Sequence, residues 1–432
     1  MAERKFDCIV TGGGLAGLTA ATVMARAGLK VVVLERGSFP GAKNVMGGVL
    51  YRHHTESVFP EFWKQAPVER PVVKQSLWIL GKNGAVSVGA LNQPAADGQP
   101  NAWTVLRARF DKWLGKQASD AGALIVHETV VTDVIKRDGK VVGVRTDREE
   151  GDLYADVVIC ADGVSSVPAR KAGLRPDWRQ DELAVAVKEI IALPREKIED
   201  RFAIGPEGGA TIELVGEATV NRMGIAFIYT NKESISVGSG VLMSELIAAK
   251  MNPNDVLEKM KDHPAVRPLV AGGASREYMA HLIPEGGYHS IHSVYGAGIL
   301  VAGDAAGLVN SFHREGSNLA MMSGKMAAEA VIDAVKRGDF SSRSLSSYRA
   351  RLEESFIIKD LKKYANLGHY MVKRPYFFGI YPEMVNMAAT EFLGVDEIPK
   401  RTKHISILKK ALKMRSIFGM VKDALGAAWR AL

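Results

Sequence analysis

The feature of this sequence that most constrains the fold is a glycine-rich turn between a predicted strand and a predicted helix near the N-terminus. The β-branched runs 5–11 and 30–34 predict buried parallel strands, and the Ala- and Leu-rich run 15–27 predicts a helix between them. The turn has the sequence GGGLAG over positions 12–17. Together these segments predict a βαβ unit of the kind found in α/β domains.

Each glycine of this turn has a role in dinucleotide binding. Gly12 allows the tight turn, Gly14 lets the backbone approach a pyrophosphate, and Gly17 lets the helix pack closely on the strand. The helix N-terminus supplies amide donors, and Glu35 ends the second strand, where it can accept a hydrogen bond from a ribose hydroxyl. A glycine turn that serves only the fold is the alternative, but strand, helix and acid all fall where dinucleotide binding needs them.

A second motif follows the predicted buried strand 299–302 and indicates which dinucleotide binds. Asp304 can hold a ribityl hydroxyl, and the preceding Gly303 lets a flavin chain pass close to the backbone. The helix that begins near 316–318 then points its amides at the flavin pyrimidine, where they stabilise negative charge. A plain strand–turn–helix with an Asp cap is the alternative. Beside the first motif, this pattern predicts FAD.

The charge and the cysteines limit the remaining chemistry. The 432 residues include 56 Lys and Arg against 48 Asp and Glu, and the whole excess lies in the segment 400–432. A positive charge confined to one short tail does not predict nucleic-acid binding. The two cysteines, Cys8 and Cys160, exclude a disulfide framework and any iron–sulfur cluster held by four cysteines of this chain.

The basic tail is amphipathic. Apolar side chains recur at three- and four-residue spacing on one face of a predicted helix, at Met414, Ile417, Phe418, Val421, Leu425, Ala428, Trp429 and Leu432. Such a segment can lie in a membrane interface, where its cations approach anionic lipids. Docking of the face on this protein or on a partner subunit is the alternative.

The sequence contains neither a signal-peptide pattern nor an apolar run of about 18 residues without charge. We therefore expect a cytoplasmic protein, and the family resemblance described below implies peripheral association with the cytoplasmic face of a bacterial inner membrane.

The pattern of predicted elements changes along the chain. Alternating strand-like runs over 183–241 predict an antiparallel sheet that faces a ligand and is inserted into the first domain. The expected division is a discontinuous FAD-binding domain of 1–75, 104–182 and 276–340, an antiparallel-sheet domain of 76–103 and 183–275, and a helical C-terminal region of 341–432. The family resemblance described below implies that the second of these is a quinone or substrate domain.

Six motifs give the chain a resemblance to a known superfamily. It resembles the geranylgeranyl reductases and electron-transfer-flavoprotein:quinone oxidoreductases in GGGLAG with Glu35-Arg36, PGAKNVMGG, LRARFDKWL, CADGVSSV, LIPEGGY and AGDAAG. The segment 310–321, NSFHREGSNLAM, is most similar to the FixC-type branch, which is associated with nitrogen fixation. The resemblance implies a mixed α/β fold: a Rossmann-like FAD-binding domain of the p-hydroxybenzoate-hydroxylase-like type, an inserted antiparallel-sheet substrate or quinone domain, and a helical C-terminal region.

The resemblance also implies which residues hold FAD. They are Gly12, Gly14, Leu15, Ala16, Gly17, Glu35 and Arg36 for the ADP half, Lys43, Gly47 and Gly48 in a loop along the flavin, Arg107 near the phosphates or ribityl chain, Val131 with its backbone at the adenine, Ala161, Asp162 and Gly163 along the cofactor, and Gly303, Asp304, Gly316, Ser317 and Asn318 at the ribityl and pyrimidine ends. Plainer readings are a surface charge at a helix start for Arg107 and a simple turn for Asp162-Gly163.

By the same resemblance, the chain is expected to be an FAD-dependent oxidoreductase in a Fix-type electron-bifurcating complex. It would pass electrons from an electron-transfer flavoprotein heterodimer to a membrane quinone, coupled to ferredoxin or flavodoxin reduction for nitrogen fixation. Because no cysteine follows Cys160, the cluster is expected on a separate small ferredoxin-like iron–sulfur subunit. A prenyl (geranylgeranyl) reductase, an FAD-dependent aromatic hydroxylase and a non-catalytic anchoring subunit are the alternatives.

The histidines do not predict a metal site. His53-His54 and the pair His289 and His292 lie in loop-like sequence without evident carboxylate ligands. His313 and Arg314 precede the flavin-facing helix and are candidates for tuning the flavin charge, with simple loop packing as the alternative. No general acid or nucleophile stands out, so no catalytic side chain is predicted.

Overall fold

The structure is a computed structural model that describes residues 5–44, 48–91 and 97–431. The strands are β1 (Lys5–Thr11), β2 (Val31–Leu34), β3 (Val49–Tyr51), β4 (Val68–Leu80), β5 (Ala85–Leu91), β6 (Ala102–Val105), β7 (Leu124–Val126), β8 (Val131–Arg137), β9 (Lys140–Thr146), β10 (Leu153–Cys160), β11 (Leu183–Ala192), β12 (Gly209–Gly216), β13 (Gly224–Thr230), β14 (Ser234–Leu242), β15 (Ala274–Pro284), β16 (Tyr295–Gly296) and β17 (Ile299–Val301).

The helices are α1 (Leu15–Arg26), α2 (Arg52–Glu56), α3 (Arg107–Asp120), α4 (Val167–Ala172), α5 (Arg195–Phe202), α6 (Met243–Ala249), α7 (Pro253–Asp262), α8 (Arg267–Val270), α9 (Ser317–Arg337), α10 (Ser342–Glu354), α11 (Phe356–Lys363), α12 (Leu367–Val372), α13 (Ile380–Leu393), α14 (Lys400–Met414) and α15 (Ile417–Ala431). None of these helices, within the described ranges, is long and apolar enough to cross a membrane. The predicted mixed α/β class with a helical C-terminal region is confirmed.

The chain folds into two compact units. The first contains the described residues of Met1–Glu69, Val105–Leu183 and Leu282–Lys362, and the second those of Arg70–Thr104, Ala184–His281 and Lys363–Leu432. From the sequence we expected the helical C-terminal region to begin at residue 341. In the structure, α10 lies within the first unit, where the Tyr348 hydroxyl donates to the carbonyl oxygen of Val301 at 2.9 Å.

A largely parallel sheet forms the centre of the first unit. Its strands follow the order β16-β17-β10-β1-β2-β7, and β9 and β8 continue from β10 as an antiparallel edge. Cys8 on β1 pairs with Val157 on β10 and with Val31 on β2, which fixes the register at the middle of the sheet. The central strands are apolar without alternation because both faces of a parallel sheet are covered.

Two helices rich in small residues pack closely in this unit. The buried face of α9 is dominated by small side chains, among them Ala320, Gly324 and Ala327. A Cβ atom at Gly324 would overlap the backbone of Ala16 on α1, so the two helices approach backbone to backbone. This contact brings the N-terminal turns of α1 and α9 into the same part of the unit.

The second unit is a mixed sheet covered by helices. Its strands follow the order β15-β11-β14-β13-β12-β4-β6, with β5 paired to β4. Most of the pairs with a recorded register are antiparallel, as the sequence predicted, but β12 and β4 run parallel, with Thr211 opposite Gln75. The range 183–241 also contains α5, whose Ile198 and Phe202 are buried in the core of the unit.

Buried polar contacts hold the C-terminal helices α13 and α15 in place in the second unit. On α13, the Asn386 side-chain amide donates to the carbonyl oxygen of Ile79 at 2.8 Å. On α15, the buried carboxylate of Asp423 accepts from the Tyr381 hydroxyl at 2.7 Å and from Arg415 at 2.8 Å. Asp423 is the single acid in the basic tail, and it holds α15 against α13.

Candidate cofactor-binding site

The GGGLAG turn joins β1 to α1 in the first unit. Gly12 has a φ of +98°, and a Cβ atom there would overlap the carbonyl oxygen of Ala161. A Cβ atom at Gly17 would overlap the carbonyl oxygen of Gly12. Gly14 caps α1, and a Cβ atom there would meet nothing within 4 Å in the described part of the chain. Open space therefore adjoins the first turn of α1, whose N–H groups form the positive end of the helix dipole.

The Glu35 carboxylate lies directly against this turn. One of its oxygens accepts from the Gly13 N–H at 2.7 Å and the other from the Gly37 N–H at 2.6 Å. A carboxylate has about four acceptor sites, so two remain for further donors such as ribose hydroxyls. Thr129 donates its N–H to the Glu35 carbonyl oxygen at 3.0 Å, and Val131 begins β8 two residues later. The neighbouring Arg36 side chain is exposed.

The predicted turn 161–163 lies on the other side of Gly12. Ala161 donates its N–H to the carbonyl oxygen of Thr11 at 2.9 Å, which joins the ends of β10 and β1. One carboxylate oxygen of Asp162 accepts from the Val167 N–H at 2.8 Å, while the other is buried without a partner among the described residues. Burial raises the pKa of Asp162 to about 6, against the hydrogen bond from Val167.

The second motif lies against the first. Gly303 has a φ of +62°, and a Cβ atom there would lie 3.0 Å from the Cβ atom of Ala16. Its N–H donates to the Ser323 hydroxyl on α9 at 3.0 Å. Asp304 follows in a short 3₁₀ turn, and burial raises its pKa to about 6, opposed by the charge of Arg107. The structure thus brings the two glycine motifs, which are almost 300 residues apart in sequence, into contact.

Arg107 is buried at the start of α3, in contrast to the surface position considered from sequence. Its guanidinium binds the fully buried carboxylate of Asp111 through two hydrogen bonds of 2.8 Å. Burial raises the pKa of Asp111, and the charge and hydrogen bonds of Arg107 oppose that shift. Asp111 lies one helical turn after Arg107 in LRARFDKWL, so an i, i+4 spacing was a signal for this pair.

The N-terminus of α9 lies near Gly48 and Val49, which end the motif PGAKNVMGG and begin β3. Gly316 caps the helix, and the Ser317 hydroxyl donates to the carbonyl oxygen of Val49 at 3.2 Å. The Gly48 carbonyl oxygen accepts from the Val105 N–H at 2.8 Å. Lys43, in the same motif, is exposed, and Gly47 lies outside the described residues.

Glu315 organises the polar groups at this helix start, and sequence reasoning did not single it out. Its carboxylate accepts from the Asn318 side-chain amide at 2.8 Å and from the Asn310 side-chain amide at 3.1 Å. Asn318 is buried, and its amide oxygen has no partner among the residues described. The spacing of Glu315 and Asn318 across a helix start, three residues apart, could have indicated the pair.

His313 and Arg314 are exposed on the loop before α9. Arg314 has a left-handed φ of +57°. Burial raises the pKa of the Tyr51 phenol, and the Arg314 charge acts against this shift, which puts the guanidinium in the electrostatic range of Tyr51. The position of His313 is fixed through its N–H, which donates to the Asn310 amide oxygen at 3.4 Å.

Glu285 of LIPEGGY is a further acid near Asp304. No role was predicted for Glu285 from the sequence. Burial raises its pKa to about 7, a hydrogen bond with Ser311 lowers it, and the charge of Asp304 raises it further. Two carboxyls with raised pKa values therefore lie within electrostatic range of each other. Their proximity disfavours the simultaneous ionisation of both groups.

The positions of the cysteines and of one histidine pair bear on metal binding. Cys8 and Cys160 are fully buried in β1 and β10, and burial raises the pKa of both thiols. The rings of His53 and His54 lie nearly perpendicular with their centroids 5.6 Å apart. In the part of the chain that the structure describes, no group of three or more His, Cys, Asp or Glu side chains could hold a metal ion.

The residues of this site fit FAD. Two helix N-termini face open space at Gly14 and Gly316, where a Cβ atom would meet no described residue. Buried oxygens of Asp162 and Asn318 have no partner among the described residues and suit a hydroxyl or N–H donor. Amide groups at a helix N-terminus bind pyrophosphate, and carboxylates accept from ribose and ribityl hydroxyls.

Comparisons with known families agree with this assignment. Residues 7–175 match the family of FAD dependent oxidoreductases, and residues 367–432 match the ETF-QO/FixC family C-terminal domain. Protein FixC of Bradyrhizobium diazoefficiens is 45% identical over 435 aligned positions and 100% of each chain. Protein FixC of Azotobacter vinelandii is 44% identical, again over 100% of each chain. Protein FixC of Escherichia coli K12 is 39% identical over 98% of this chain and 99% of that one.

Solved structures share the fold at low sequence identity. A geranylgeranyl bacteriochlorophyll reductase-like protein from Thermoplasma acidophilum aligns with a TM-score of 0.74 and 20% identity, over 99% of this chain and 100% of that one. The flavin-dependent brominase Bmp2 aligns with a TM-score of 0.66 and 18% identity, over 95% and 100% of the two chains. These likenesses confirm the flavoprotein fold predicted from the sequence, and at this identity they say nothing about the substrate.

Proposed function

Because the chain belongs to the ETF-QO/FixC family, we propose that it passes electrons from an electron-transfer flavoprotein to a quinone in the membrane. The chain is an FAD-dependent oxidoreductase. The observation that carries the proposal is the 45% identity to a FixC protein over the full length of both chains. Residues 367–432 of this chain, which contain its C-terminal helices, match the ETF-QO/FixC family C-terminal domain.

FAD, when bound, supplies the redox chemistry, and the residues of this chain supply its position and electrostatic environment. The N-terminal turn of α1 fits the pyrophosphate, and Glu35, with unused acceptor sites, fits the adenosine ribose. Asp304 fits the ribityl hydroxyls. The N-terminal amides of α9 fit the pyrimidine, where a positive helix end stabilises negative charge.

The cysteines support a partner that carries an iron–sulfur cluster. This chain has two, and both thiols are buried in the central strands of the FAD unit, so they are not available as cluster ligands. We therefore propose a complex with an electron-transfer flavoprotein heterodimer and a separate small ferredoxin-like iron–sulfur subunit. In that complex, quinone reduction is coupled by electron bifurcation to ferredoxin or flavodoxin reduction for nitrogen fixation.

The surface of α15 supports peripheral association with the cytoplasmic face of the inner membrane. Five of its large apolar side chains are exposed: Ile417, Phe418, Val421, Leu425 and Trp429. Lys409, Lys410 and Lys413 add positive charge on the adjoining helix α14. A helix with an apolar face and nearby cations binds at the boundary between headgroups and acyl chains.

The test is quinone reduction by the purified full-length chain with FAD bound. We expect reduction of a short-chain quinone analogue only when both the chain and a reduced electron-transfer flavoprotein are present. The control omits this chain. An FAD-loaded chain that leaves the quinone oxidised contradicts the proposal. Saturation of a geranylgeranylated lipid would then identify a prenyl reductase, and phenol-stimulated NADPH oxidation would identify an aromatic hydroxylase.

The proposed complex is tested separately by purification from the native membrane. We expect the chain to copurify with both subunits of an electron-transfer flavoprotein and with a subunit that contains iron and acid-labile sulfide. A purified complex that is active but contains no iron contradicts the assignment of the cluster to a partner.

A further inference from the structure

A cavity of about 520 Å³ lies between α12 and α15 in the second unit. Four basic side chains line it, namely Lys363, Lys373, Arg374 and Arg430, together with the aromatic rings of Tyr370 and Trp429. The lining formed by the described residues contains no Asp or Glu. A concave site with several cations and no carboxylate favours an anionic ligand.

The cavity is built on the ring of Tyr370. The guanidinium carbon of Arg374 lies 3.7 Å from the ring centroid and that of Arg430 lies 4.3 Å from it. The Tyr370 hydroxyl reaches the carbonyl oxygen of Asp423 at 3.4 Å, and it fits there because residue 426 is glycine. Any side chain at position 426 would overlap the phenol, so glycine there allows α15 to approach α12 closely and form one wall of the cavity.

Both guanidiniums are oriented by the backbone. Arg374 donates to the carbonyl oxygen of Tyr370 at 3.2 Å, and Arg430 donates to that of Gly426 at 2.8 Å. Each of these bonds uses one of the five N–H donors of an arginine. Oriented guanidiniums with further donors match the geometry of a phosphate group, which accepts several charge-assisted hydrogen bonds.

We propose that this cavity binds the phosphate of an anionic phospholipid headgroup. Trp429 connects it to the apolar surface of α15, because its side chain lines the cavity and is 83% exposed. Phe418 and Leu425 are exposed on the same helix. A lipid can place its acyl chains beside that surface while its phosphate enters the cavity, whereas a free phosphate ion would use only the cations. Indole rings are favoured at the interface between the headgroups and the acyl chains of a bilayer.

The inference rests on the proposed membrane association and is independent of the electron acceptor. Attraction of the whole basic tail to an anionic surface would be spread over all its cations, at about fivefold in affinity for each. A specific headgroup site instead makes the cations of the cavity contribute more to vesicle affinity than the other cations of the tail. It also binds a phosphate more tightly than other anions. These two differences are measurable.

The experiment measures vesicle binding of the full-length FAD-loaded chain by cosedimentation. The double variant K363Q/K373Q removes two exposed cations of the cavity, and K409Q/K413Q removes two exposed lysines of α14 outside it. On phosphatidylcholine–phosphatidylglycerol vesicles, we expect the cavity variant to lose about tenfold more affinity than the α14 variant. Retention of the FAD absorbance spectrum by both variants verifies that they are folded. Equal losses in the two variants overturn the proposal.

Two further arms identify the source of the anion. Vesicles that contain oleate in place of phosphatidylglycerol, at matched surface potential, should bind the wild-type chain more weakly. Inorganic phosphate is titrated at constant ionic strength and followed by fluorescence in the wild type and in W429F. Tight binding of inorganic phosphate, with equal affinity for the two anionic vesicles, overturns the lipid assignment. Reduction of a water-soluble quinone analogue by K363Q/K373Q should equal that of wild type, so the two proposals fail separately.

Discussion

Ala16 and Gly324 meet backbone to backbone, because a Cβ atom at position 324 would overlap the carbonyl oxygen of Ala16. This contact holds α1 against α9 and so sets the separation between the helix start that fits the pyrophosphate of FAD and the helix start that fits its pyrimidine. Gly14 lies two residues from Ala16, yet a Cβ atom there would meet no described residue within 4 Å. Gly324 therefore serves the packing of the two helices, whereas Gly14 leaves space for the cofactor.

We predict opposite phenotypes for alanine at these two positions. G324A forces the helices apart and should lower the free energy of unfolding by about 1–3 kcal/mol. G14A should change it by less than about 1 kcal/mol, because the methyl group enters open space, but should weaken FAD binding at least about tenfold by obstructing the pyrophosphate. Chemical denaturation of the FAD-free chain and fluorescence titration with FAD measure the two effects. Normal FAD affinity in G14A would contradict the assignment of this turn.

The ion pair of Arg107 and Asp111 should respond differently in single and double variants. R107Q leaves the fully buried Asp111 carboxylate without its charged partner and should cost about 3–5 kcal/mol of unfolding free energy. R107Q/D111N should recover much of this loss. If Arg107 also contacts FAD, the double variant regains stability without regaining FAD affinity. Recovery of both would restrict Arg107 to a structural role.

The raised pKa of Asp304 predicts a pH-dependent stability of the FAD-free chain. The pKa of its carboxyl rises from 3.8 to about 6 on folding, so the folded state holds the proton more tightly. Stability from this group is therefore present below pH 3.8 and is lost as the pH rises to about 6. D304N removes this loss and should be more stable than wild type by about 3 kcal/mol at pH 8.

The same substitution should weaken FAD binding, because it replaces a charged acceptor for the ribityl hydroxyl. D339N is the control of opposite sign, since hydrogen bonds from Ser341 lower the pKa of the exposed Asp339 carboxyl. Stability from Asp339 is present above its unfolded pKa and is lost as the pH falls through the lower folded value. D339N should therefore be less stable than wild type at pH 8. A D304N stability difference that does not vary with pH contradicts the assigned titration.

The local parts of the fold could be predicted from the sequence. β1, α1 and β2 follow from period, β-branching and glycine placement, all of which act within about 35 residues of chain. The parallel pairing of β12 with β4 could not, because about 130 residues separate the two strands and no local pattern encodes that contact. α5 is a single short helix with two buried apolar residues, too brief to stand out from flanking strands.

The same limit applies to the site. The glycines and Glu35 were visible because each serves a fixed step of one motif. Glu285 was not singled out, since its importance depends on Asp304 and Ser311, which are distant in sequence and approach it only after folding. Glu315 was missed although its partners Asn310 and Asn318 are local, so its spacing to them was a usable signal. The burial of Arg107 was also invisible, because a charge at a helix start is usually solvated.

The exposed face of α15 gives a prediction with a matched control. Leu425 is 66% exposed on α15 and Leu91 is 74% exposed on β5, so serine at either position should change the free energy of unfolding by less than about 0.5 kcal/mol. L425S should reduce binding to phosphatidylcholine–phosphatidylglycerol vesicles, and L91S should leave it unchanged. Equal binding by the two variants would favour the alternative in which α15 docks on a partner subunit.

The burial of both cysteines has a practical consequence. Thiols held inside β1 and β10 with raised pKa values are poor targets for maleimides and methanethiosulfonates. The natural chain is thus suited to site-specific labelling without prior removal of cysteines. A single new cysteine at Phe418 or Leu425 could carry a nitroxide, and its accessibility to oxygen and to a water-soluble relaxation agent would report the depth of α15 in a bilayer.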